Sequence, residues 1–215
     1  MGQRSKMIVG FTNTEPMSRS DSPTRERSAM YFQWRWGAHL IVCAAQAVRL
    51  ARKQVKDKFL HIAPADALAA QRAIYSVNQL TGKIQGWQSV ERETKWLDEN
   101  GTDLSDGPNG MFLIQLHANT PDEDGNKGNR FTFGFTIGGS NGGDNATVVT
   151  ADEYLERFGD MVSEWRADNE ACEALDAALD TLHEAEADGF LMSQEEADKL
   201  CSTRAEYEES FSHAA

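Results

Sequence analysis

Five histidines and three cysteines are the residues best suited to chemistry in this chain of 215 residues. His39 and Cys43 stand four apart, the spacing of two metal ligands on one helix face, but two ligands do not make a site and no second pair matches them. A Cys–His nucleophile pair built from Cys43 with His39 or His117 would have to form in space, because no sequence motif joins them. Residues 138–143, Gly-Gly-Ser-Asn-Gly-Gly, lack the lysine and the following helix of a phosphate loop and read as a hairpin turn. Asp122, Asp124 and Asn126 have the one-three-five spacing of a calcium loop. Lys127 then stands where that loop needs glycine and Phe133 where it needs glutamate. No catalytic, cofactor-binding or metal-binding residue is therefore assigned, and no cofactor is expected.

Charge is the more informative property. The chain carries a net charge of −13. Residues 150–215 hold 19 of the 34 acidic side chains and only Arg157, Arg166, Lys199 and Arg204 as cations, for a net −15. Residues 1–60 have 11 basic and 4 acidic side chains. The molecule is thus a basic head, a nearly neutral middle and an acidic tail. The cysteines form no Cys-x-x-Cys pair and cannot all pair within one chain, which favours free thiols in a reducing compartment. No stretch approaches the ~20 apolar residues that span a bilayer, so the expected location is cytoplasmic, with no membrane partner.

Hydrophobic periodicity places these residues on elements. Residues 1–29 read as a flexible N-terminal arm, polar and Ser/Arg-rich over 18–28, with Met7 to Phe11 as an edge strand at most. An α+β core domain is expected over 30–149. Its helices fall at about 38–60, 65–80 and 83–99, and the period then changes from 3.6 to 2 for strands at about 111–117, 130–137 and 146–149. The second of these strands puts Phe131, Phe133 and Phe135 on one face. The expected architecture is a helical layer packed on a small antiparallel meander.

Thr150 with Glu153 forms a capping box that starts the C-terminal region, and Ser193 with Glu196 forms another. Tyr154, Phe158, Met161, Trp165, Cys172, Leu175, Leu179 and Leu182 make an apolar stripe at helical spacing, with a break expected near 168–169. Residues 150–215 therefore read as an acidic helical hairpin. Its stripe holds the hairpin together or pairs with a second copy of the chain.

The leading functional expectation is a non-enzymatic interaction module, a regulator or inhibitor. Its acidic helices would engage a basic protein surface, for example the groove of a nucleic-acid-binding protein. The acidic face would comprise Asp152, Glu153, Glu156, Asp160, Glu164, Glu173, Asp176, Asp180 and Glu184. The alternative is a nucleic-acid binder that uses the N-terminal region: Trp34, Arg35 and Trp36 for base stacking, at ~1–3 kcal/mol per base, and Arg49, Arg52, Lys53 and Lys56 for phosphates. Those four cations suit the chain's own acidic tail equally well. An enzyme of unknown reaction is the third reading, and a pocket lined by Cys43, His39 or His117 would favour it.

Overall fold

The structure is a computed structural model and describes residues 5–13, 24–32, 37–56, 90–102, 110–121, 127–138, 147–158 and 169–211. The expected helix at 65–80, the first turns of the one at 83–99, Trp34, Arg35, Trp36, Asp160 and Glu164 lie outside the described residues. So do Asp122, Asp124, Asn126 and residues 139–146.

The fold is α+β. Its centre is a five-stranded mixed sheet of β1 (Ser5–Asn13), β2 (Thr24–Phe32), β3 (Met111–Pro121), β4 (Lys127–Ile137) and β5 (Thr147–Val149), in the order β2-β1-β3-β4-β5. The expected meander is its β3-β4-β5 half, joined by antiparallel pairing. Two strands fall where an arm was expected. β1 is an interior strand, antiparallel to β2 and parallel to β3. Its period-2 signal is missing because nearly every residue of Ser5–Asn13 is buried, whichever face it points to. β2 looks polar because it carries Arg25, Arg27 and Ser28, yet Arg27 and Ser28 are buried with hydrogen-bond partners.

Each face of the sheet has its own core. Met7, Val9 and Phe11 of β1, Phe112, Ile114 and Leu116 of β3, and Phe131, Phe133 and Phe135 of β4 point to one side. There they meet α1 (Ala38–Lys56), α3 (Ala151–Arg157) and α4 (Asn169–Ala187). α1 offers a stripe of Leu40, Ile41, Ala44, Ala45, Val48 and Ala51, mostly small residues that allow close approach to the sheet. The Phe135 ring lies 4.9 Å from that of Tyr154, whose hydroxyl accepts the Gly37 N–H at 3.2 Å where α1 begins. The second core holds Ile8, Ala29, Met111 and Leu113 against α2 (Val90–Asn100), α5 (Gln194–Cys201) and α6 (Arg204–Glu209), through Leu97, Ala197, Leu200 and Tyr207.

The C-terminal third is therefore not a self-contained hairpin. α4 belongs to one face, α5 and α6 to the other. Between them, 190–192 crosses the sheet edge, where the Phe133 N–H donates to Phe190 O at 2.9 Å and the Met192 N–H to Phe133 O at 2.7 Å. The Thr150–Glu153 capping box is present. At the second expected start, the Ser193 hydroxyl accepts the Glu196 N–H. A further capping box at Thr203–Glu206 splits the last helix into α5 and α6, a break that the apolar spacing alone does not reveal.

Candidate functional site

Two surfaces carry the residues of interest. The first is the outer side of α3 and α4. Leu175, Ala178, Leu182 and Ala185 face inward at helical spacing, which obliges Glu173, Asp176, Asp180 and Glu184 to face solvent. Asp152, Glu153 and Glu156 of α3 are exposed beside them. Asp152 Oδ1 lies 2.9 Å from His183 Nε2, which ties α3 to α4, and Glu153 accepts its own cap's N–H at 2.9 Å.

The basic helix meets this region from below. Arg49 donates to Thr181 Oγ1 from Nε at 3.0 Å and to Ala177 O from Nη2 at 2.8 Å. Arg52 donates to Glu184 at 2.9 Å and also pairs with Asp188. Lys53 is exposed, and the Lys56 side chain is outside the described set. The basic stripe thus splits: its first two members bind α4, and Glu184 leaves the free acidic face. Glu156, Glu173, Asp176 and Asp180 meet no cation among the described residues. Where α3 abuts α4, burial raises the Glu186 carboxyl above its ordinary value, although the Ala151 N–H donates to it at 2.8 Å and His183 opposes the shift. The nearby Asp152 and Glu153 raise it further.

The second surface is a pocket of about 370 Å³ on the other face of the sheet, between β3–β4 and α5–α6. Strand alternation aims Gln115 and His117 of β3 and Arg130 and Thr132 of β4 at it. The α5 side supplies Ser193, Glu195, Glu196 and Lys199, and Tyr207, Ser210 and Phe211 close it. His117 Nε2 lies 2.7 Å from Glu196 Oε1, and His117 Nδ1 lies 2.9 Å from Thr12 Oγ1. Burial raises the Glu196 carboxyl, but the hydrogen bond and charge of His117, helped by the Arg130 charge, outweigh it and hold the group below its ordinary value. The chain Thr12–His117–Glu196 has the order of a nucleophile, base and orienting carboxylate. Thr12 is only 3% exposed, however, so its hydroxyl is out of a substrate's reach, and both ring nitrogens of His117 are engaged. What the chain does is fix the Glu196 carboxylate, ionised, in the pocket wall.

Beneath the pocket, Gln115 accepts the Tyr207 hydroxyl hydrogen at 3.3 Å, and burial pushes that phenol up to about 12. Arg27 stacks over the same ring at 4.5 Å and donates to Leu200 O, Ser202 O and Asp98.

Of the expected chemical residues, His117 reaches this pocket. His39 is exposed on α1 and Cys43 is buried one turn on. Cys43, Cys172 and Cys201 form no disulfide with one another. No group of three or more metal-ligating side chains occurs among the described residues, and no described helix is long and apolar enough to cross a membrane. Thr12, Gln115, Arg130, Glu196 and Tyr207 were not legible as site residues. The only signal in the sequence is a histidine on the polar phase of an alternating strand, and the spacing of Glu196 from Ser193 signals a helix cap alone. Compared with protein-family models, curated proteins and solved structures, the chain matches none.

Proposed function

We propose that this protein is a non-enzymatic interaction module whose acidic α3–α4 face engages a basic surface on a partner protein, such as the groove of a nucleic-acid-binding protein. One observation carries the reading. The apolar side of α4 is used within the core, and its two cationic neighbours from α1 bind residues 177–188, so Glu173, Asp176 and Asp180 meet no partner among the described residues. Unpaired carboxylates on a rigid helix repel one another and cost stability, a cost that a cationic partner would relieve. The partner class is a basic protein, and the interaction is salt-sensitive because exposed charges are screened beyond ~8–10 Å at physiological ionic strength.

The nucleic-acid reading has less support, because Arg49 and Arg52 face α4 in place of a phosphate backbone. The enzymatic reading gains a pocket at His117, but the hydroxyl that His117 contacts, on Thr12, is buried.

The test compares the wild-type chain with the triple variant Glu173→Lys, Asp176→Lys, Asp180→Lys in affinity capture at low and moderate salt. The expected result is a basic protein held by the wild type at low salt, released as salt rises, and absent with the variant. Identical capture by both proteins would sink the reading.

A further inference from the structure

The pocket beside His117 has a charge pattern that the acidic-face reading leaves unused. Its lining carries two cations, Arg130 and Lys199, and two carboxylates, Glu195 and Glu196. Lys199 and Glu195 satisfy each other at 2.6 Å. That leaves one charge of each sign. Glu196 is held by His117 at Oε1 and also faces the Thr132 hydroxyl, which still leaves its carboxylate acceptor capacity. Arg130 is exposed and joins no ion pair among the described residues. The Phe211 ring, in edge contact with Tyr207 at 5.2 Å, supplies an apolar wall.

From this arrangement we infer that the pocket is a binding site for a small zwitterion, an α-amino acid. Glu196 would receive the ammonium group, Arg130 the carboxylate, and the Phe211 wall the side chain. A simple cation entering the pocket would face Arg130, whose charge acts on Glu196 without a direct ion pair among the described residues, and a simple anion would face Glu196. Only a ligand that carries both charges meets a complement at each end. The guanidinium fork matches a carboxylate in two parallel hydrogen bonds. At about 370 Å³ the cavity lies at the small end of the ~300–1,000 Å³ range of ligand pockets, which suits an amino acid better than a nucleotide. The supporting frame is rigid where it matters. Thr12 and His117 hold Glu196, and Gln115 and Tyr207 form a hydrogen-bonded floor.

The experiment uses the full chain and titrates the standard α-amino acids one at a time, followed by calorimetry or by NMR shift mapping. For the best binder, the decarboxylated amine and the deaminated acid are titrated in parallel. The expected result is saturable binding at millimolar concentration or below, with both single-charge analogues weaker by roughly tenfold or more. Glu196→Gln and Arg130→Gln should each weaken binding by roughly 10- to 100-fold, the effect of removing a charge-assisted hydrogen bond. Arg130→Lys should retain part of the affinity. Because Glu196 also ties α5 to the sheet, Arg130→Gln carries the test if the other variant fails to fold. The inference is overturned if no amino acid saturates the protein, if the amine or the acid alone binds as tightly as the amino acid, or if Arg130→Gln leaves binding unchanged.

Discussion

Arg52 Nη1 donates to Glu184 Oε2 at 2.9 Å, across the seam between α1 and α4. This contact divides the acidic helix into a part that serves the fold and a part that does not. The same guanidinium reaches Asp188, one turn further on, and Arg49 holds Thr181 and Ala177 one turn back. Glu173, Asp176 and Asp180 on the remaining side of α4 are exposed and meet no cation among the described residues.

Arg52 and Arg27 should respond very differently to truncation. The Arg52 side chain is 21% exposed and its partners 58% or more, so Arg52→Ala should cost only about 1 kcal/mol. Arg27 is fully buried and satisfies Asp98 and two backbone carbonyls. Arg27→Ala should cost about 3 kcal/mol, because the buried Leu200 carbonyl would lose its donor and the partly buried Asp98 and Ser202 acceptors would lose theirs. Urea unfolding of both variants checks the ranking. Equal midpoints would show that the Arg27 network is not the keystone of the second core.

Two glycines with left-handed backbone separate conformational strain from steric clash. Gly189 has φ +81° and open space around the missing Cβ, so Gly189→Ala should cost roughly 1–2 kcal/mol from backbone strain alone. Gly110 has φ +76°, and a Cβ there would stand 2.3 Å from the backbone oxygen of Thr136. Gly110→Ala should therefore be clearly the more damaging, because β3 and β4 must part to make room. Thermal melts of the two proteins measure the difference.

Acid should act through two glutamates with opposite signs. The Glu186 carboxyl is raised in the folded state, so its ionised form costs stability at neutral pH. That cost disappears as pH falls through its folded pKa. Glu186→Gln should therefore be neutral or stabilising at pH 7, and its advantage should vanish in acid. Glu196 is held low, so its contribution is present above the ordinary carboxylate range and is lost as pH falls through its folded value. Glu196→Gln should destabilise by about 1–2 kcal/mol at pH 7, and the difference should close at low pH. Urea midpoints across pH 3 to 7 follow both curves. A stabilising Glu196→Gln at pH 7 would contradict the role given to His117 (the pH range is about the ordinary carboxylate region).

Charge reversal on the outer face should leave the fold intact. Glu173→Lys, Asp176→Lys and Asp180→Lys alter exposed positions with no partner among the described residues, so each should shift stability by no more than about 0.5 kcal/mol. A large loss would show that these residues have a structural task after all.

The α+β class and the positions of α1, β3, β4 and β5 were legible: α1 keeps an apolar stripe at helical spacing, and β4 alternates Phe131, Phe133 and Phe135 with Thr132, Gly134 and Thr136 although both faces of the sheet are covered there. β1 and β2 were not. Ser5–Asn13 is buried almost throughout and shows no period, while the buried Arg27 of β2 reads as a surface residue until its partners at 98, 200 and 202 are brought to it. The same limit hid the pocket. Thr12, His117 and Glu196 lie on β1, β3 and α5 and meet only when the sheet is assembled. No spacing in the chain announces them. The acidic face was visible from composition, but its division by Arg52 was not.

The crossing of 190–192 past Phe133 has a consequence for solution behaviour. β5 pairs with β4 only over 135–137, and beyond it the backbone of β4 would be open to another strand. Phe190 O and the Met192 N–H occupy the Phe133 positions there. On the opposite border, the Thr94 hydroxyl accepts the Ala29 N–H of β2. Both flanks of the sheet are thus engaged by the protein's own chain, which guards it against the edge-to-edge growth that exposed strands invite.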